Sequence, residues 1–128
     1  MSIPLMNARF EVVDVTDFFR RLGTLEAATR IQIIKGLQDH TEEVFRQSQE
    51  QVPVKTGALR ASAILEPARA EGNTFVSGIR YTRDYALRVH ENRFINYKHG
   101  KAGFLSDPIN EQAPELLNRI GKRIKEIL

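Results

Sequence analysis

The chain has 128 residues, 41% of them hydrophobic and 27% charged, the balance of an ordinary globular domain with one modest core. It contains no cysteine, which excludes disulfides, thiol catalysis and cysteine-bearing zinc sites. The formal net charge of +3 is unevenly spread: residues 1–51 carry about −2, residues 52–103 about +5 and residues 104–128 about zero, so any anionic neighbour would meet the middle of the chain.

No stretch approaches the roughly 18 apolar residues of a membrane span, and the start Met-Ser-Ile-Pro-Leu-Met lacks a basic segment followed by an apolar run. The expectation is a protein that stays in the cytoplasm, with no membrane partner. Residues 8–15 come close to alternation, with Phe10, Val12 and Val15 against Arg9, Glu11 and Asp14, and predict a short strand or extended arm. Thr16-Asp17 followed by Phe18, Phe19 and Leu22 predicts a capped helical turn ending at Gly23.

One long helix is expected from Thr24, its cap, to Gln51. Ala27, Ile31, Ile34, Thr41, Val44, Phe45 and Ser48 recur at steps of three and four, beside a polar face of Arg30, Lys35, Glu42, Glu43, Arg46 and Glu50. At 1.5 Å per residue it would run about 40 Å, so it must lie across a sheet or protrude beyond it. Gly36 marks a bend or a close contact, and His40 reads as a solvated residue.

The segment Val52–Ser62, V-P-V-K-T-G-A-L-R-A-S, is a corner. Pro53 has no amide hydrogen and drives Val52 out of the α region, so the helix should stop at Gln51. Thr56 can cap a short turn, Gly57 permits a sharp change of direction, Leu59 supplies an apolar anchor and Arg60 a permanent charge. Residues 61–70 and 74–82 then form an antiparallel hairpin about Glu71-Gly72-Asn73. Pro67 cannot donate to a ladder, which places its strand at an edge or at a bulge. In the second strand Phe75, Ser77, Ile79 and Tyr81 share the one face expected to be buried.

Residues 83–91 form a short amphipathic segment, helix or strand, with Tyr85, Ala86 and Val89 inward. Residues 92–103 are rich in Asn, Lys, His and Gly and read as a long mobile loop. Phe104 and Leu105 resume the apolar pattern. Ser106 or Asp107 caps a final helix with Pro108 at its first position, Pro114 kinks or interrupts it, and Ile109, Leu117, Ile120, Ile124 and Ile127 share one side. The fold class is α+β: a small antiparallel sheet packed on a long N-terminal helix and a C-terminal helix in one domain.

Catalytic and metal patterns are sparse. His40, His90 and His99 show no His-x-x-x-His spacing. His90-Glu91 with His99 could be imagined as an acid/base or ligand set, but no nucleophile, phosphate loop or acidic metal pair accompanies them. These absences argue against an enzyme and imply no cofactor. Arg80, Arg83, Arg88, Arg93, Lys98 and Lys101 interleave with Tyr81, Tyr85, Phe94 and Tyr97, a pattern that can hold a single strand by phosphate contact and stacking. The simpler alternative places the aromatic rings in the core and the cations in water.

The succession Pro53, Thr56-Gly57, Leu59-Arg60 and Ser62, then Tyr85-Ala86 with Val89 and Glu91, then Gly103-Phe104-Leu105 before a final helix, resembles the neck and minor-tail family of long-tailed bacteriophages. The likeness spans residues 10–128. Lys55 stands where the family often has Asp, and Asn92-Arg93 where a glycine often follows. The resemblance implies a structural role in head-tail joining or tail completion, in the virion after assembly in the host cytoplasm. Subunits would form a homo-oligomeric ring at the neck or head-proximal tail, against other neck, connector or tail proteins, with packaged DNA nearby. Interface residues expected on this basis are Thr56, Gly57, Leu59, Arg60, Tyr85, Glu91, Asn92, Phe94, Tyr97, Lys98, His99 and Lys101. A tail terminator that fixes tail length is the neighbouring alternative.

Overall fold

A computed structural model describes residues 6–12, 27–54, 57–72, 74–93 and 99–127, and within 6–12 the side chain of Phe10 alone. The expected turn at 16–23, the cap Thr24, and Thr56, Asn73, Phe94, Tyr97 and Lys98 lie outside these residues. The architecture is mixed α+β. A three-stranded sheet of β1 (Met6–Val12), β2 (Ala63–Glu71) and β3 (Thr74–Tyr81) has the order β1-β3-β2, antiparallel throughout. The long helix α1 (Ala27–Gln51) lies against it.

The helix ends at Gln51 as Pro53 requires, and its last turn closes through Val52 N–H donating to Ser48 O at 2.9 Å. Beyond the corner a single turn, α2 (Ala58–Ala61), leads into the hairpin. Its ladder runs in register from Ala63 opposite Tyr81 to Glu66 opposite Gly78, then slips between Glu66 and Arg69. Pro67 sits within that slip, on an edge strand, where its missing donor costs nothing. The amide of Ala68, displaced from the ladder, donates instead to Gln38 Oε1 of α1 at 2.7 Å.

β3 departs from the one-sided burial expected of it. Phe75, Val76, Ser77, Gly78, Ile79 and Tyr81 are all buried, so both faces of this central strand, paired along both edges, are covered. Two apolar clusters flank α1. One gathers Ile33, Leu37, Phe75, Ile120 and Ile124; the other gathers Val44, Val52, Leu59, Ile79, Tyr81, Ala86, Phe104 and Leu105, and Phe10 packs against both.

The inward face of α1 is also rotated from the expected stripe in its first half. Ala27 is exposed and Ile31 is 50% exposed, while Ile33, Gly36 and Leu37 are buried. His40, expected in solvent, is only 2% exposed. Three of the polar side chains on the buried face find partners there: Thr41 Oγ1 donates to Leu37 O at 2.9 Å, His40 Nδ1 lies 2.7 Å from Arg119 Nη1 and Ser48 Oγ lies 2.6 Å from the Tyr81 hydroxyl, whereas Gln32 Oε1 is buried without a partner among the described residues.

The amphipathic segment 83–91 resolves as a short helix, α3 (Ala86–Glu91), with Ala86 buried and Tyr85 and Val89 packed on the core. The C-terminal region is interrupted at Pro114, one of the two outcomes expected of that residue. It comprises α4 (Ser106–Gln112), a 3-10 turn (Ala113–Glu115) holding Pro114, and α5 (Leu116–Lys125). Neither Ser106 nor Asp107 caps α4 through its side chain, and Pro108 is its third residue rather than its first. His90 does the capping: its Nε2 accepts the Ser106 amide at 3.1 Å. Ile120 and Ile124 are buried as expected, whereas Leu117 is 74% exposed.

A candidate docking surface at the end of the long helix

The corner and the segment before Phe104 are joined by backbone hydrogen bonds. Val54 N–H donates to His99 O at 3.3 Å, Lys101 N–H to Gln51 O at 2.8 Å, and Gly103 N–H to His90 O at 2.7 Å. Against the expectation of one mobile loop over 92–103, residues 99–103 are seated against α1 and α3, with Ala102 and Gly103 buried. Gly100 has φ +85, and a Cβ there would come within 2.6 Å of Pro53 N and Val52 C. Only glycine lets these two strands of chain approach so closely.

Beneath this junction Tyr81 is fully buried with its hydroxyl 2.6 Å from Ser48 Oγ and 3.1 Å from Gln49 Nε2. Burial pushes its pKa upward, against the hydrogen bonds and the charge of Arg60. The phenol thus ties the last turn of α1 to the end of β3. Tyr81→Phe leaves Ser48 without that partner and should lower stability by about 1 kcal/mol in chemical denaturation, with an unchanged fold by circular dichroism.

Above the junction lies an open cleft of about 340 Å³, with Val52 and Val54 forming apolar lining and Gln49, Glu50, Arg60, His99 and Gly100 around them. Its electrostatics follow from what is already committed. The Gln51 and Ser48 carbonyls at the helix end are taken by Lys101 and Val52 amides, and Glu50 is paired with Arg46. Arg60, which is exposed, has no side-chain hydrogen bond or ion pair among the described residues. Among the described residues the cleft therefore presents a cation without a side-chain partner beside apolar side chains, a suitable seat for a carboxylate next to an aliphatic group.

A second charged group stands on Gly103. Asp107 receives Arg93 at 3.1 Å and Lys101 at 3.0 Å. The hydrogen bond from Arg93 is the main influence holding its carboxyl below the usual range. Gly103 has φ +71 and lies beneath this triad: a Cβ would meet Arg93 Nη2 at 2.5 Å and Asp107 Oδ2 at 2.8 Å. The carboxylate ties both cations to the start of α4.

Of the residues named from sequence, Arg60, His99 and Lys101 meet around the end of α1, while Gly57 opens the turn α2, its carbonyl accepting the Ala61 amide at 2.9 Å. Leu59 is buried and Tyr85 half-buried, so both support the surface from below. Glu91 is exposed and Asn92 half-buried at the end of α3. Sequence reasoning did not single out Val54, read Asp107 only as a helix cap and His90 only as a member of a ligand or acid/base set, and covered Gly100 only within the loop 92–103; the positive-φ glycine in His-Gly-Lys was the one local signal that could have pointed there. His90, Glu91 and His99 do not converge, and no group of three or more such residues among those described could hold a metal. Burial lowers the His90 pKa, consistent with an imidazole serving as acceptor for an amide. Tyr81 has no exposed face for stacking, and Arg93 and Lys101 are both engaged by Asp107. No family model, curated protein or solved structure matches the chain.

Proposed function

We propose that this protein is a structural subunit of a bacteriophage virion that acts in head-tail joining, docking as a ring at the neck or head-proximal end of the tail. One observation carries the reading. The three groups of residues behind the resemblance, at 53–62, 85–91 and 103–105, are far apart in sequence yet pack into one cluster through Leu59, Tyr85, Ala86, Val89, Phe104 and Leu105. A docking surface needs that kind of rigid support beneath it.

The surface so supported carries Arg60 and His99 at the cleft, with Glu91 exposed at the end of α3. A ring requires one patch on each subunit to meet a different patch on the next. Among the described residues the outer edges of β1 and β2 pair with no other strand, and such edges accept added strands. No helix among the described residues is long and apolar enough to cross a membrane. A nucleic-acid role is less well supported, because Tyr81 is enclosed and two of the interleaved cations are tied to Asp107.

Negative-stain microscopy of particles made by the parent phage with this reading frame deleted tests the proposal. DNA-filled heads beside free tails of normal length are expected. Tails of abnormal length would move the role to termination, and intact infectious virions would overturn a structural role altogether.

A further inference from the structure

We propose that helix α5 is an acid-releasable clasp, held on α1 only while the buried imidazole of His40 can accept a hydrogen bond from Arg119. The contact joins elements 79 residues apart. Arg119 Nη1 lies 2.7 Å from His40 Nδ1, and Arg119 Nη2 donates to Gln112 Oε1 at 2.6 Å. A guanidinium can only donate. His40 Nδ1 must therefore carry its lone pair, and the ring is neutral in the docked state. A proton on that nitrogen would replace the hydrogen bond with two opposed donors and two positive charges.

The surroundings offer the imidazolium little relief. On α1, Asp39 is committed to Arg123, whose Nε and Nη2 donate to its two oxygens at 2.6 and 2.9 Å. Glu43 feels the charge of Arg119 but accepts hydrogen bonds from Arg46 and Gln47. On α5 the facing groups are the cations Arg119 and Arg123; on β1 it is the uncharged ring of Phe10, edge-on at 5.8 Å. Burial, and then Arg119, hold the His40 pKa below its ordinary 6.5.

Because the folded pKa is depressed, the docked helix is fully favoured above the unfolded value of 6.5 and loses support as pH falls toward the folded value. Leaving α1 would hydrate His40 and uncover Ile33, Leu37, Ile120 and Ile124. The 3-10 turn at 113–115 is a natural hinge: it already interrupts the helix at Pro114.

Hydrogen-exchange mass spectrometry on the full chain at about pH 7.5 and about pH 5, corrected for intrinsic exchange, tests this. Protection of the α5 amides should fall by up to about thirtyfold, the most that a group with an unfolded value of 6.5 can contribute at about pH 5, while β3 stays protected. His40→Gln, whose amide oxygen can accept from Arg119, should hold α5 protected at the lower pH. Unchanged α5 protection in the wild type, or an equal loss in His40→Gln, would overturn the clasp. So would a loss confined to the start of α4, which would assign the effect to His90. If the variant does not fold, an NMR titration of wild-type His40 decides: a pKa at or above 6.5 refutes the proposal.

Discussion

Gly100→Ala lowers the unfolding free energy by about 3 kcal/mol, as the sum of two separable costs. The first is conformational. At φ +85 an L side chain crowds its own carbonyl, at a cost of roughly 1–2 kcal/mol. The second is steric. The new Cβ would strike the Gln51 carbonyl oxygen, Pro53 N and Val52 C, all backbone atoms of the corner that follows α1. Backbone cannot swing aside as a side-chain end can, so residues 99–101 must lift away. The hydrogen bonds from Val54 to His99 and from Lys101 to Gln51 would then lengthen or break, adding about 1–2 kcal/mol.

Gly57→Ala isolates the first cost. Gly57 has φ +83, but no atom lies within 4 Å of the point where a Cβ would stand, so its substitution should cost only the conformational share, roughly 1 kcal/mol. Urea denaturation of both variants gives the difference from the midpoints at constant slope. Equal losses would mean that residues 99–101 are not seated on the corner. The cleft, which needs that seating to bring His99 toward Arg60, would then lack its frame. Under the proposed role in head-tail joining, attachment should follow the same order, with Gly100→Ala the more impaired.

Much of the fold could be read in the sequence wherever one residue imposes a local backbone constraint. Pro53 ended α1 at the expected residue, Pro67 coincided with the slip in β2, and Pro114 broke the C-terminal helix into α4 and α5. The turn at Gly72, with φ +63, followed from the same reasoning. These features depend on φ, ψ and a missing donor, all of which the local sequence specifies.

Features set by distant partners were harder to see. Periodicity located α1 but misjudged its inward side, since Gln32, His40 and Thr41 are polar and buried while Ile31 is apolar and half-exposed. What makes His40 acceptable inside is Arg119, 79 residues away, and no local pattern encodes that pairing. The same holds for β3, whose sequence shows one side of a hairpin and gives no sign that β1 covers its other edge. At the candidate site, Arg60 and His99 were named from sequence, but the contacts that unite them are backbone hydrogen bonds, which leave almost no trace in side-chain identity. The glycines do leave one: Gly100 and Gly103 mark where chain passes against chain or charge.

Gly36→Ala turns that lesson into a test of sign. In an exposed helix interior, alanine in place of glycine stabilises by about 1 kcal/mol, because the unfolded chain loses freedom and the helix gains a better former. Gly36 lies in the middle of α1, so propensity alone forecasts a gain. Packing forecasts the opposite. A Cβ at Gly36 would sit 2.6 Å from Ile120 Cα, 3.0 Å from its Cγ1 and 3.1 Å from its N, and two of those three atoms are backbone of α5. The helices would have to separate, and separation strains the Arg119–His40 and Arg123–Asp39 contacts on the same seam. Overpacking of this kind costs roughly 1–3 kcal/mol or more, so after the propensity gain the net loss should be about 2 kcal/mol. Gly121→Ala, on α5 with nothing within 4 Å, should instead stabilise by up to about 1 kcal/mol. Thermal and urea denaturation of the two variants should therefore move in opposite directions from the wild type. A gain at both positions would mean that α5 is not pressed against α1, and the clasp would lose its mechanical basis along with the seam.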